Sequence, residues 1–156
     1  MDGLGKLDHL IERAKSYGMD SLALTDHGAM YGSFKFYLKA KTAGLKPIIG
    51  VETYVARRTR FDKEGKVDTE PYHLVLLAKN EIGYKNLLKL VTHAHLEGYY
   101  YKPRIDWDLL QEHHEGLICL SACIQGQVPN LLRNGLDDEA EKVASKYAEL
   151  FGEGHY

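Results

Sequence analysis

With 156 residues, 44% of them hydrophobic and 27% charged, the chain has the length for one core and folds as one domain or as part of one. A net charge of −2 with neutral histidines excludes a global attraction to nucleic acid, so any such contact needs a local patch. No run is apolar for long enough to span a membrane, nothing resembles a secretory leader, and two cysteines in one apolar stretch, Cys119 and Cys123, fit a reducing cytoplasm.

The chain enters through Asp2-Gly3-Leu4-Gly5 into Lys6–Lys15, where Leu7, Leu10, Ile11 and Ala14 recur at helical spacing. A helix of this kind in an α/β chain packs on a strand before it, and none precedes it here, so the N-terminus reads as cut. Ser21–Glu52 is the organising stretch. A short strand, Leu22-Ala23-Leu24, runs into Thr25-Asp26-His27-Gly28, then a helix over Met30–Thr42, then a second strand at Ile48-Ile49 ending in Gly50-Val51-Glu52. The helix is expected to bury Phe34, Tyr37 and Leu38, with Met30 and Ala40, and to stop at Gly44. Its lysines, Lys35, Lys39 and Lys41, form a solvated face in preference to a DNA contact. Such a crossover sets the ends of neighbouring parallel strands side by side, which is where α/β folds build sites. His27 and Glu52 therefore meet at one mouth.

Alternation continues through Tyr54-Val55-Ala56, and Arg57 to Pro71 then reads as an exposed hairpin loop without core residues, its basic side chains serving solubility. The chain returns as the strand Tyr72–Ala78. Antiparallel pairing across that loop would bring His73 back beside Glu52. A helix over Ile82–Leu96 is expected to bury Leu87, Leu88, Leu90, Val91 and Ala94; His93 and His95, two apart, face different ways and read as surface or packing residues. Tyr99-Tyr100-Tyr101-Lys102-Pro103-Arg104 interleaves aromatic and basic groups that could stack bases, although a packed loop is the plainer reading. Asp106 caps a short helix through Glu112, and Leu117–Cys123 is a buried strand running into a loop, with Cys119 inert in its middle and Cys123 just past its end. The last helix, Asp137–Phe151, turns Ala140, Val143, Ala144, Tyr147, Ala148 and Phe151 to one side, and no strand follows it, so the C-terminus also reads as cut.

Asp2, His27, Glu52, His73 and Cys123 mix oxygen, nitrogen and sulfur donors, a set that suits zinc, manganese or iron better than calcium or magnesium. Singly, each has a plain structural explanation. Their shared placement at strand ends is what points to metal, to a water made acidic by it, and to phosphoester hydrolysis. No GxGxxG, P-loop or nucleophile elbow competes.

Leu24-Thr25-Asp26-His27-Gly28, Lys46-Pro47-Ile48-Ile49-Gly50-Val51-Glu52, His73-Leu74-Val75-Leu76-Leu77-Ala78 and Tyr84-Lys85-Asn86-Leu87 resemble the polymerase-and-histidinol-phosphatase (PHP) domain of bacterial DNA polymerase III alpha subunits. Glu97–Arg104 and Ser121-Ala122-Cys123 extend the resemblance over nearly the whole chain. It implies part of a distorted TIM-like (β/α)7 barrel, incomplete at both ends across residues 1–156, with a cluster of up to three zinc or manganese ions. Asp2, His27, Glu52, His73 and Cys123 match ligand positions of that cluster. The family also has a His-x-His pair shortly before the position of Asp2 and a later Asp-x-His pair, and neither occurs at those places here.

In the family an intact cluster supports 3′–5′ exonuclease proofreading, and a degenerate one leaves a structural platform; the ligands kept here resemble the intact kind. The resemblance implies DNA as a partner through a parent DNA-directed DNA polymerase, a nucleotidyltransferase, together with replisome subunits such as a sliding clamp and a proofreading exonuclease, in the cytoplasm and with no membrane. Polymerisation itself would use magnesium and palm carboxylates that this chain lacks, so no catalytic residue is assigned in it. A stand-alone metal-dependent phosphoesterase of the histidinol-phosphatase kind is the alternative.

Overall fold

The computed structural model describes residues 5–156, so the expectation for Asp2 lies outside the described residues. In chain order the elements are α1 (Leu7–Ser16), β1 (Ser21–Leu24), α2 (Ser33–Thr42), β2 (Lys46–Val55), α3 (Gly65–Thr69), β3 (Tyr72–Ala78), α4 (Glu81–Leu96), β4 (Arg104–Ile105), α5 (Trp107–Glu112), β5 (Leu117–Leu120), α6 (Gln127–Arg133) and α7 (Asp137–Phe151).

Strand β2 is the axis of the sheet. Its first half pairs in parallel with β1, its last residues pair in parallel with β4, and along its other edge it runs antiparallel to β3, which pairs antiparallel with β5. The α/β class is as expected. The sheet mixes parallel and antiparallel pairs, whereas a regular β/α barrel has parallel strands throughout.

Alternation along paired strands sorts the side chains onto two faces. On one, Val51, Val55, Leu74, Leu76 and Cys119 are buried with Leu87, Leu90 and Ala94 of α4, Leu109 and Leu110 of α5, and Tyr147 and Phe151 of α7. A second core joins α1 and α2 to the sheet through Ile11, Ala14, Phe36, Ala40 and Leu45, with Leu22, Leu24 and Ile49 packed against them. Register puts Glu52, Tyr54, His73, Val75 and Leu120 on the opposite face, where no helix of the two cores lies over them among the described residues. The helices of the two cores pack on one face.

Several expectations need correction. Helix α2 buries Ser33, Phe36 and Ala40, whereas Phe34 is 75% exposed and Tyr37 and Leu38 are also exposed. Both stripes of the helix are apolar, and contact with β1 and β2 selects the one holding the small residues, which lets the helix approach the sheet closely. Lys39 is also more than solvated, since it pairs with Asp8 of α1. On α4, Leu88 is exposed, and on α7 Ala148 is exposed, each one step off the buried stripe. Asn80 caps α4 by accepting from the Gly83 N–H, and Asp106 caps α5 by accepting from the Leu109 N–H as expected.

The largest departure is the segment between β2 and β3. In place of a loose loop it holds α3 and a buried polar network. Arg104 of β4 is fully buried, and its guanidinium donates to the carbonyls of Gly98, Asp68, Arg60 and Asp62. Arg58 donates to both carboxylate oxygens of Asp68, which is 1% exposed. Arg60 donates to Glu97, just past the end of α4, and to Asp106. No buried side-chain nitrogen or oxygen among the described residues lacks a hydrogen-bond partner. These arginines bind the connection to the core, because buried charge is stable only when paired and fully hydrogen-bonded.

Candidate metal centre

Glu52 was expected just past a strand end, yet it sits inside β2. It still faces the end of β1, because the chain beyond Leu24 keeps pairing. The Glu52 N–H donates to the Asp26 carbonyl at 3.0 Å and the Gly28 N–H donates to the Glu52 carbonyl at 2.8 Å. His27 is held between those two bonds, with Nδ1 3.4 Å from Glu52 Oε1.

His73 arrives through the β2–β3 pairing. It lies opposite Tyr54, and Glu52 lies opposite Val75, so Glu52 and His73 are diagonal neighbours on one face, within reach of each other. His73 Nδ1 is 2.7 Å from Glu52 Oε1, and the Tyr54 ring stands edge-on to its imidazole with centroids 5.2 Å apart. Asp26 takes a structural part, accepting from the Gly32 N–H at 3.1 Å ahead of α2.

Cys123 comes from the loop after β5. Ala122 has φ 61, the Gly126 N–H donates to the Cys123 carbonyl at 2.8 Å, and a Cβ on Gly126 would lie 2.0 Å from the Ser121 carbonyl. This turn also docks on β3, where the His73 N–H donates to the Gln125 carbonyl at 3.1 Å. It leaves Cys123 Sγ 3.5 Å from His73 Nδ1 and accepting from the Gln125 N–H at 3.4 Å. The other cysteine, Cys119, lies opposite Leu76 on the helix-covered face, and burial pushes its thiol far above the ordinary range. The two cysteines are thus set apart, Cys119 buried in β5 and Cys123 exposed in the loop beside His73.

Glu52, His73 and Cys123 offer an oxygen, a nitrogen and a sulfur that all lie within 4.8 Å of one another. Metal bonds of about 2.1 Å to nitrogen or oxygen and about 2.3 Å to sulfur put tetrahedral ligand atoms roughly 3.4 to 3.6 Å apart. The 3.5 Å Cys123–His73 and 3.4 Å His27–Glu52 separations match that edge. At 2.7 Å the Glu52–His73 contact is a charge-assisted hydrogen bond and would open by about 0.7 Å around a shared ion. Sulfur with imidazole and one carboxylate fits zinc, manganese or iron and does not fit a calcium cage.

Two residues near the centre escaped sequence reading. Tyr54 supports the His73 ring, and His95, read as a surface or packing residue, places Nε2 2.9 Å from the Gly28 carbonyl. Their partners lie 19 and 67 positions away in sequence, beyond any local signal. The Tyr99–Arg104 stretch is a turn docked beside Gly28 through Pro103, with Tyr99 and Tyr101 exposed.

The family model for the PHP domain matches residues 1–156. The DNA polymerase III subunit alpha of Treponema pallidum is 51% identical over 157 aligned residues, taking in 100% of this chain and 13% of that protein. Its counterpart in Borreliella burgdorferi is 48% identical, over 100% of this chain and 14% of that protein. A solved amidohydrolase from Chromobacterium violaceum, with bound sulfate, aligns at 25% identity and a TM-score of 0.42 over 60% of this chain and 29% of its own. This chain spans 13 to 14% of the length of the two alpha subunits. Since the family match runs from the first residue to the last, the chain belongs to the PHP domain family, and its relatives put it with the domain of DNA polymerase III alpha subunits.

Proposed function

We propose that the chain is part of the PHP domain of a replicative DNA polymerase III alpha subunit, and that Glu52, His73 and Cys123, joined by His27 and Asp2, bind zinc or manganese there. The observation that carries this reading is the convergence of three different donor types, from β2, β3 and the loop after β5, within 4.8 Å. The share of each relative covered, 13 to 14%, supports a longer parent polypeptide that supplies the remaining ligand pairs and the polymerase carboxylates. A stand-alone phosphoesterase has less support, because the relatives at 48 to 51% identity are polymerase subunits.

Bound there, a divalent metal would supply Lewis acidity, lowering the pKa of a coordinated water and polarising a phosphoester oxygen. The chain's own contribution is positioning. The β2–β3 ladder fixes Glu52 and His73, Tyr54 limits the tilt of the His73 ring, and the 122–126 turn presents the sulfur. His27, with its side chain 40% exposed, leaves the mouth open to a DNA 3′ end. We read the activity as 3′–5′ exonuclease proofreading, with the retained donors favouring it over a purely structural platform. The same reading places the parent in the cytoplasm with DNA, a sliding clamp and other replisome subunits.

Metal content of the full-length polypeptide, wild type against Cys123→Ser, tests the assignment. The variant should bind zinc or manganese roughly 10 to 100-fold more weakly. Unchanged metal content in both Cys123→Ser and Glu52→Gln would overturn it. Metal-dependent shortening of a 3′-labelled single strand is the expected activity, and metal binding without shortening would leave the platform role.

A further inference from the structure

We infer that His95 is a positioning residue for His27: from α4 it grips the turn after β1 and holds the imidazole of His27 against Glu52. This deepens the metal-centre reading and rests on it. His95 Nε2 lies 2.9 Å from the Gly28 carbonyl oxygen. A carbonyl only accepts, so Nε2 carries the proton and donates. The N–H of the same residue, Gly28, donates to the Glu52 carbonyl at 2.8 Å. Gly28 is thus tied by its N–H to the strand that carries Glu52, and by its carbonyl to α4, the helix packed against that strand.

The turn has reason to need that grip. Strand β1 is four residues long, and the residue after His27 is a glycine with φ +61, the residue type that gives up the most backbone freedom on ordering. Sideways movement is already blocked. A Cβ on Gly28 would lie 2.8 Å from Pro103 Cγ and 3.0 Å from the Tyr54 ring, and that same ring supports His73. The remaining freedom is rotation of the 28–29 peptide unit about the Gly28 Cα, which a donor on the Gly28 carbonyl opposes. The far side of the His95 ring meets Tyr99, with centroids 6.3 Å apart, so the imidazole is itself seated before it reaches the turn.

The test separates the N–H from the bulk of the ring. Glutamine carries an amide nitrogen the same number of bonds from Cα as Nε2, whereas leucine has no donor. Zinc affinity of the full-length polypeptide, read by competition with a chromogenic chelator, should fall about tenfold in His95→Leu and return to within about twofold of wild type in His95→Gln. Hydrogen exchange at the Gly28 amide, with metal removed, should speed up in His95→Leu and stay slow in His95→Gln. Wild-type affinity in His95→Leu alongside weakened binding in Cys123→Ser overturns the inference and leaves the metal reading standing. Equal weakening in His95→Gln and His95→Leu also overturns it, because ring packing would then be the role. Unchanged affinity in His95→Leu and Cys123→Ser together overturns the metal reading and this inference with it. Should His95→Leu fail to fold, His95→Asn, whose amide stops one bond short, replaces it under the same outcomes.

Discussion

Two polar clusters hang on the β2–β3 hairpin, and they are wired in opposite ways. Around Arg104, every buried donor meets an acceptor: four carbonyls take the guanidinium, and Asp68 and Asp106 are matched by Arg58 and Arg60. Around Glu52, a carboxylate, an imidazole and a sulfur meet in sequence at 2.7 and 3.5 Å, and no arginine or lysine is paired with Glu52 or Cys123 among the described residues. A cluster whose charges cancel internally needs nothing more and serves the fold. One that gathers metal-ligating atoms without an arginine or lysine partner is where a cation would sit under the proposed reading. Burial follows the same division, complete for Arg104 and Asp68 and partial or absent for Glu52, His73 and Cys123.

That contrast predicts where substitutions act. Arg104→Leu is the heaviest blow, since it orphans four carbonyls and leaves Asp68 and Asp106 short of positive charge. We expect a loss of about 3 to 5 kcal/mol, seen as a large drop in the thermal unfolding midpoint; a shift within error would show that the network is not needed for folding. Gly28→Ala should cost about 1 to 2 kcal/mol, from a left-handed backbone and the collision with Pro103, and should also weaken metal binding, so it is the one change expected to register in both clusters' assays.

Acid sharpens the division further. The Arg58 hydrogen bond and the Glu64 N–H hold the Asp68 carboxyl below the ordinary range, and Arg60 with His93 does the same for Glu97. With folded values below unfolded ones, the unfolded chain takes up more protons as the pH drops, so the stabilisation is present above about pH 4 and is lost below it. Asp68→Asn should flatten the acid limb of a stability–pH curve, and an unchanged limb would assign acid sensitivity elsewhere. Cys123→Ser has the smallest structural effect, within about 0.5 kcal/mol for an exposed side chain, while its metal affinity falls by the factor given above.

Much of the centre was legible because it depends on short-range order. The strand, turn and strand of residues 21–52 put His27 beside Glu52, and a hairpin reading brought His73 back, even though Glu52 proved to lie within its strand. The arginine network was not legible. Arg60 meets Asp106 across 46 positions, β4 is two residues long, and charge-rich sequence looks alike whether it is solvated or folded inward. Helix α2 failed for a related reason: Phe34 and Phe36 are equally apolar, and only the surface they meet distinguishes them.

The diagonal placement of Glu52 and His73 makes their meeting a matter of parity. Residues on opposite arms of a hairpin share a face only while the number of steps along each arm stays matched to the pairing. Lengthening or shortening the 57–71 connection would disturb the arginines yet leave Glu52 and His73 where they are. A single residue gained or lost between Glu52 and Tyr54 or between His73 and Val75 would carry one of them through the sheet to the helix side. Variation among relatives is therefore expected to concentrate in the connection, while the two arms keep their count.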